Sequence, residues 1–263
     1  MTTERSKPLT YSDYLAIDEL LGLQRPRSEE HDEILFIVIH QVYELWFKQV
    51  IHELEHMQRS LEEGDDPAVL STLKRILTIL KTLVAQVDVL ETMTPMSFAA
   101  FRDRLESGSG FQSLQFRVLE FMLGHRTREM IAHHGEGPGS TRLEALLAEP
   151  AVWDSFLAYL ARKGHSVPPE ALGRDISEAV GESAQIQDML VGVYADHPVE
   201  SMVCERLLDL DEGLQEWRYR HVKMVERTIG EKQGTGGSSG AEYLRSTLFR
   251  PVFPDLWAIR SRL

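Results

Sequence analysis

The chain of 263 residues has little of what several classes of protein require. It has a single cysteine, Cys204, so no disulfide can form within it, and it has no asparagine to accept an N-linked glycan. The longest unbroken apolar run, 34–39, is far shorter than the roughly 20 residues of a membrane-spanning helix. The first residues also lack the apolar core of a signal peptide. These features predict a cytoplasmic protein with no membrane partner.

Positive charge is also scarce. Lysine and arginine number 28 against 41 aspartate and glutamate, which gives a net charge of −13 with histidine neutral. A surface of that sign repels phosphate, which argues against nucleic acid and anionic membranes as partners. Hydrophobic residues make up 43% and charged residues 26%, an ordinary globular composition, and we expect one domain over 1–263.

What the sequence does contain is helical periodicity. Two long segments, about 29–62 and 199–228, place apolar residues at alternating steps of four and three, which is one face of a helix. A third helix is predicted over about 67–92, and a single helix over 111–123. No alternating strand pattern occurs. The sequence therefore predicts an all-α fold with long antiparallel helices and a smaller, variable helical insertion at about 126–200.

Two histidines, His40 and His221, lie on the apolar faces of the two longest predicted helices. The simpler interpretation is a pair of core histidines whose nitrogens are satisfied by hydrogen bonds. The alternative is an apolar cleft holding an iron porphyrin, with a neutral imidazole as axial ligand and a second histidine on the other face. The residues alone do not say which histidine would be the ligand. No CxxCH motif occurs, so covalent haem attachment of that type is excluded.

A second histidine pattern, His52 to His56, matches HExxH on a helix, which can bind zinc in metalloproteases. At 100° per residue both histidines point away from the apolar face, and no third ligand follows at a zincin spacing. The sequence therefore favours an exposed, solvated pair over a zinc hydrolase.

Two further features admit a functional interpretation. Arg102 follows Phe98 and Phe101, and an arginine beside aromatic residues can bind a carboxylate through two parallel hydrogen bonds, although most such arginines are simply solvated. The glycine-rich stretch 234–240 does not match a P-loop, which leaves a flexible linker or a mobile lid.

Four stretches taken together resemble the tryptophan 2,3-dioxygenase family, and they occur in the family's order: 31–54, 101–117, 217–225 and 234–240. The resemblance implies an all-helical, haem-binding subunit of the tryptophan/indoleamine dioxygenase type, assembled as a homotetramer (a dimer of dimers). The implied reaction is oxidation of L-tryptophan by O2 to N-formyl-L-kynurenine with haem b, the first step of tryptophan degradation by the kynurenine pathway.

The resemblance also implies roles for individual residues. His221 matches the proximal iron ligand, His40 the distal histidine that contacts the indole N–H, and Ser109 a serine near the haem. Arg102 matches the residue that binds the substrate carboxylate, and Thr235 the one that contacts the ammonium group.

The same resemblance gives Phe36 and Phe98 as aromatic residues packed on the indole. The family has Tyr or Phe at position 98, and the phenylalanine here lacks a hydroxyl near the carboxylate. Tyr11 and Tyr14 match an N-terminal segment, 1–27, that reaches a neighbouring subunit's pocket. Three alternatives remain open at this point: a haem monooxygenase acting on a modified indole, a zinc hydrolase, and a helical scaffold without catalysis.

Overall fold

The computed structural model describes residues 8–132, 134–135, 137–235 and 240–263, and over these residues it contains helices and loops but no strand. The prediction of an all-α fold is therefore confirmed. The α-helices in chain order are α1 (Tyr11–Leu15), α2 (Ile17–Leu21), α3 (His31–Glu63), α4 (Asp66–Leu90), α5 (Pro95–Arg102), α6 (Leu114–Met122), α7 (Arg128–Ala132), α8 (Pro138–Leu147), α9 (Val152–Arg162), α10 (Pro169–Leu172), α11 (Ala184–Asp196), α12 (Pro198–Ile229), α13 (Ala241–Ser246) and α14 (Pro254–Ala258). Short 3₁₀ helices lie at Asp103–Leu105, Gly110–Gln112 and Ile259–Arg262.

A tight turn joins the first two long helices. Gly64 ends α3 in the left-handed conformation (φ 75°), where glycine carries no steric cost, and Asp65 caps α4 by accepting a hydrogen bond from the backbone N–H of Ala68. Helix α4 therefore runs back along α3.

Helix α12 packs beside α4 and runs in the same direction. Gly213 lies close to Leu80, where a Cβ would come within 3.3 Å of the leucine side chain, and further along both helices Arg220 pairs with Asp88 at 2.6 Å. The beginning of α3 and the end of α12 consequently meet at one end of the three-helix unit.

Segment 126–200 contributes its helices to the same hydrophobic core, with Trp153 and Phe156 of α9 fully buried. Arg126, at the start of this segment, is also buried. Its guanidinium donates hydrogen bonds to the backbone carbonyls of Phe121, Leu146, Glu149 and Ile176 at 2.7–3.1 Å. A buried cation with so many acceptors joins segments that are distant in sequence.

One helix, α3, is long and apolar enough to cross a bilayer by length and composition, with a mean hydropathy of 1.3 in its most apolar stretch. A single helix of this kind is weak evidence for a membrane span. In this fold α3 packs against α4, α6 and α9.

Asp211 on α12 binds the C-terminal segment. Its carboxylate is fully buried and accepts hydrogen bonds from the backbone N–H groups of Val252 and Phe253, at 2.7 and 3.0 Å, and from the indole N–H of Trp257 at 2.9 Å. Three donors satisfy one buried charge, so the interaction fastens the chain's last helix to α12.

We expect Asp211→Ala to lower the free energy of unfolding by about 2–4 kcal/mol, because three buried donors lose a charged acceptor. Urea unfolding at a fixed protein concentration measures the change. Asp209→Ala is the matched control, since Asp209 lies on the same helix in a solvent-exposed pair with Arg206, and it should cost less than ~1 kcal/mol. Equal effects of the two substitutions would contradict the role assigned to Asp211.

Candidate functional site

A cavity of about 250 Å³ lies at the end of the bundle where α3 begins and α12 ends. Its walls come from α3, α5 and α12, from the end of α4, from α6 and the segment that leads into it, and from the residues around α13. Seven residues predicted from the sequence line it: Phe36, His40, Phe98, Arg102, Ser109, His221 and Thr235. The fold thus brings these side chains together, and their individual roles stay predictions.

His40 presents a hydrogen-bond acceptor to this cavity. Its Nδ1 lies 2.7 Å from the carbonyl oxygen of Phe36, and since a carbonyl only accepts, Nδ1 carries the proton. Burial lowers the pKa of His40, although the Phe36 hydrogen bond opposes this, so the ring is neutral at pH 7. In that tautomer Nε2 is unprotonated and can accept a hydrogen bond from a ligand N–H.

His221 is more deeply buried and lacks such a partner. Burial, assisted by the nearby His40, lowers its pKa to about 4, so the imidazole is neutral throughout the physiological range. Its ring stacks on Trp217 with 5.2 Å between centroids and 10° between planes. Within the described residues no hydrogen bond satisfies its nitrogens. The interpretation as a satisfied core histidine therefore fits His40 at Nδ1 but does not fit His221.

Aromatic rings form one wall beside His40. The Phe36 ring lies 4.1 Å from the His40 ring and 5.7 Å from Phe98, and Phe98 meets Phe101 edge to face at 5.4 Å. Rings packed in this way offer a flat, apolar surface, which suits a planar hydrophobic ligand.

The polar end of the cavity joins two segments of the chain. Arg102 donates a hydrogen bond to the carbonyl oxygen of Gln233, and Thr235 donates to the carbonyl oxygen of Gly108. Arg102 has no ion-pair partner among the described residues, which leaves its charge available to an anionic group. Residues 236–239 of the glycine-rich stretch lie outside the described residues.

Sequence analysis missed a buried ionic cluster on the cavity wall. Glu120 of α6 binds Arg117 at 2.5 Å and Arg218 of α12 at 2.9 Å, and all three side chains are buried. Two cations and one anion leave a net charge of +1 beside the cavity. Both arginines fall within stretches that carry the resemblance, but nothing in their spacing indicates that one glutamate joins them.

Tyr11 and Tyr14 are not brought to this cavity. Both lie on α1 and are about three-quarters exposed. Their predicted place in a neighbouring subunit's pocket stays a prediction, and residues 1–7 of the same segment lie outside the described residues.

The HExxH residues form no metal site in the described structure. His52 and His56 are exposed, as predicted, whereas Glu53 is buried and binds Arg75 at 2.8 Å and Gln49 at 2.7 Å. The glutamate is therefore turned toward the buried side of the helix, unlike the two exposed imidazoles, and it is already paired.

The fold and the site define a class: an α-helical protein with a largely apolar cavity, lined by two neutral imidazoles and by an arginine that has no ion-pair partner in the described part of the chain. Comparison with known proteins makes the class specific. The chain belongs to the tryptophan 2,3-dioxygenase family, whose model, described as "Tryptophan 2,3-dioxygenase", matches residues 1–144 and 153–263.

Individual relatives agree with this assignment over nearly the whole chain. A tryptophan 2,3-dioxygenase of Anaeromyxobacter sp. (strain K) is 62% identical, with 98% of this chain and 97% of the relative aligned. One of Herpetosiphon aurantiacus is 60% identical over 98% of this chain and 100% of its own length. A more distant one, from Kineococcus radiotolerans, is 44% identical over 100% and 94%.

The burial of His221 predicts a specific sensitivity to acid in cofactor-free protein. Its pKa is about 4 in the fold against an ordinary value of 6.5, so as the pH falls through this window the unfolded chain takes up a proton before the folded one does. Stability is thus retained above pH 6.5 and lost toward pH 4. Between pH 7 and 5 the wild type should lose roughly 2 kcal/mol more than His221→Gln in urea unfolding.

His52→Gln is the control, because His52 is exposed and its removal should leave the pH dependence of the wild type unchanged. Parallel stability curves for wild type and His221→Gln would show that His221 does not titrate in this way.

Proposed function

We propose that this chain oxidises L-tryptophan with O2 to N-formyl-L-kynurenine at a haem b bound in the cavity. The observation that carries the proposal is the pair of neutral imidazoles, from two helices, that face one apolar cavity beside an unpaired arginine. The family membership supports the same reaction, since the relatives are named tryptophan 2,3-dioxygenases.

The residues present fit a haem. His221 would hold the iron, because its imidazole is neutral and its nitrogens make no hydrogen bond within the described residues. The cavity wall is largely apolar, and the Arg117–Glu120–Arg218 cluster, with its net charge of +1, can hold a propionate. When bound, the haem supplies the redox chemistry with dioxygen, and the protein supplies binding, orientation and exclusion of water.

His40 acts as a positioning group for the indole. Its unprotonated Nε2 can accept the indole N–H, while the Phe36 carbonyl fixes the ring's orientation through Nδ1. Burial lowers the pKa of His40, which makes it a weak base, so holding the indole is the role that its environment favours.

The amino-acid end of the substrate needs one cation and polar partners. Arg102 supplies the cation for the carboxylate, and the Thr235 hydroxyl lies across the same opening to meet the ammonium group. Phe98 offers no hydroxyl at this end, so Arg102 carries more of the carboxylate interaction alone. A pocket built this way disfavours indoles that lack the charged groups, because its own charge is then left unpaired.

Self-association into a homotetramer is part of the proposal. Apolar side chains remain exposed at the end of α2, in the loop after it and on the outer face of α3, including Leu21, Leu23, Ile34, Val38 and Leu45. Exposed apolar residues grouped in this way are typical of surfaces that bind another chain. Tyr11 and Tyr14 lie on the same N-terminal segment.

The test of the proposed function is a pair of measurements on the purified protein. We expect a haem absorption spectrum that changes when L-tryptophan is added under reducing conditions, and a product that has gained both atoms of isotopically labelled O2. A product with a single added oxygen atom would indicate a monooxygenase instead. A colourless protein that cannot be loaded with haem would overturn the proposal.

His221→Ala should abolish tight haem binding in the same preparation, because the axial nitrogen is lost. His52→Ala, an exposed histidine on α3, should keep its haem. Equal haem content in both variants would place the ligand elsewhere.

Arg102→Ala should raise the KM for L-tryptophan by ~10–150-fold, the effect of losing a charge-assisted contact of roughly 1.5–3 kcal/mol. Steady-state kinetics measure this change. Arg104→Ala removes an exposed arginine two residues away and should leave KM within a factor of two to three. An unchanged KM in Arg102→Ala would mean that another group binds the carboxylate.

A further inference from the structure

Three potential metal ligands meet far from the cavity, where α9 ends and α12 begins. They are His165, His197 and Glu200, and their ligand atoms all lie within 4.8 Å of one another. The two imidazole rings are 4.4 Å apart and nearly perpendicular, and His165 Nε2 lies 3.9 Å from a carboxylate oxygen of Glu200. The proposed oxidation of tryptophan makes no use of these residues.

His165 provides an independent sign that a ligand is missing. Its side chain is only 8% exposed, yet Nε2 has no hydrogen-bond partner. The distance of 3.9 Å from this nitrogen to the nearer carboxylate oxygen of Glu200 is too long for a hydrogen bond. A buried polar atom without a partner is costly, and a bound cation would satisfy it.

The backbone holds the three side chains in place without help from a ligand. Gly164 ends α9 in the left-handed conformation (φ 94°), and the N–H of His165 then bonds back to the carbonyl of Leu160. His197 lies between α11 and α12, followed by Pro198 at the first position of α12, and Glu200 occupies the first turn. Three rigid helix ends therefore preorganise the cluster.

The electrostatics of the cluster also suit a cation. Glu200 supplies a carboxylate oxygen. Two imidazole nitrogens and one carboxylate oxygen form the donor set that zinc accepts, with one coordination position left for water.

We propose that His165, His197 and Glu200 form a binding site for a divalent transition metal ion, zinc by its donor set. The site is separate from the haem cavity, because Glu200 and His221 are 21 residues apart on α12, which is about 30 Å along the helix. Coordination at 2.0–2.2 Å requires ligand atoms about 3.3 Å apart, so atoms that now lie within 4.8 Å of one another must approach by up to about 1.5 Å. The bound ion would fasten the end of α9 to the start of α12.

Zinc binding to untagged, haem-loaded protein tests this proposal. After treatment with a chelator, Zn²⁺ is titrated by calorimetry, and zinc and iron are counted separately by elemental analysis. We expect one zinc per chain in addition to the haem iron. At about 100-fold excess over its Kd, zinc should raise Tm by roughly 5–10 °C.

His197→Ala and Glu200→Gln should each weaken zinc binding at least ~10-fold and remove the Tm shift, since each loses one of three ligands. His197 is exposed, so its replacement should not disturb folding. His56→Ala is the matched control, because it removes an exposed helical histidine from the HExxH pair, and it should bind zinc as the wild type does.

Two results would overturn the proposal. One is wild-type protein that binds no more zinc than His197→Ala does. The other is zinc binding that is lost in His56→Ala and kept in His197→Ala. Loss of zinc binding in these variants leaves the tryptophan reaction untouched, so this test and that of the proposed function fail independently.

Discussion

The packing of α12 alongside α4, in the same direction, is the constraint on which the site depends. Close contact between Gly213 and Leu80 sets the approach of the two helices, and ion pairs of Arg220 with Asp88 and Glu91 hold their ends together. Because α3 runs antiparallel to α4, its beginning reaches the same end as His221. The two imidazoles are thus brought to one cavity by helix packing across almost the whole chain, and not by a local motif.

The long helices could be predicted from the sequence because each buries one face. Burial of one face requires apolar residues at a regular spacing of three and four positions, which is visible in the sequence. The predicted segments 29–62, 67–92 and 199–228 differ from the observed helices by only one or two residues at each end. The predicted helix over 111–123 was wrong at its start. Ser113 caps α6 by accepting from the N–H of Phe116, and a 3₁₀ turn precedes it. Side-chain capping of this kind competes with continuation of the helix. It does not change the spacing of the apolar residues, so that spacing could not predict where α6 begins.

The residues of the site also fall into two groups, those that could be predicted from the sequence and those that could not. His40 and His221 stood out from the sequence because a histidine on an apolar face is unusual, and the resemblance supplied the remaining pocket residues. Neither the ionic cluster on the cavity wall nor the pair of His165 and His197 could be predicted by apolar periodicity or by the resemblance. Glu120 lies 98 residues from Arg218 in sequence and yet binds both it and Arg117, and His165 meets His197 only through the turn that Gly164 permits. Contacts between segments that are distant in sequence produce no regular residue spacing from which they could be predicted.

The stability of the fold depends on the attachment of the C-terminal segment to α12. The buried carboxylate of Asp211 is stabilised by hydrogen bonds from N–H groups in residues 252–257. Removal of this segment would therefore cost more than its apolar contacts. It would also leave the carboxylate of Asp211 without hydrogen-bond donors on the same helix that carries His221. The C-terminal segment therefore supplies the hydrogen-bond donors that a buried carboxylate on α12 requires.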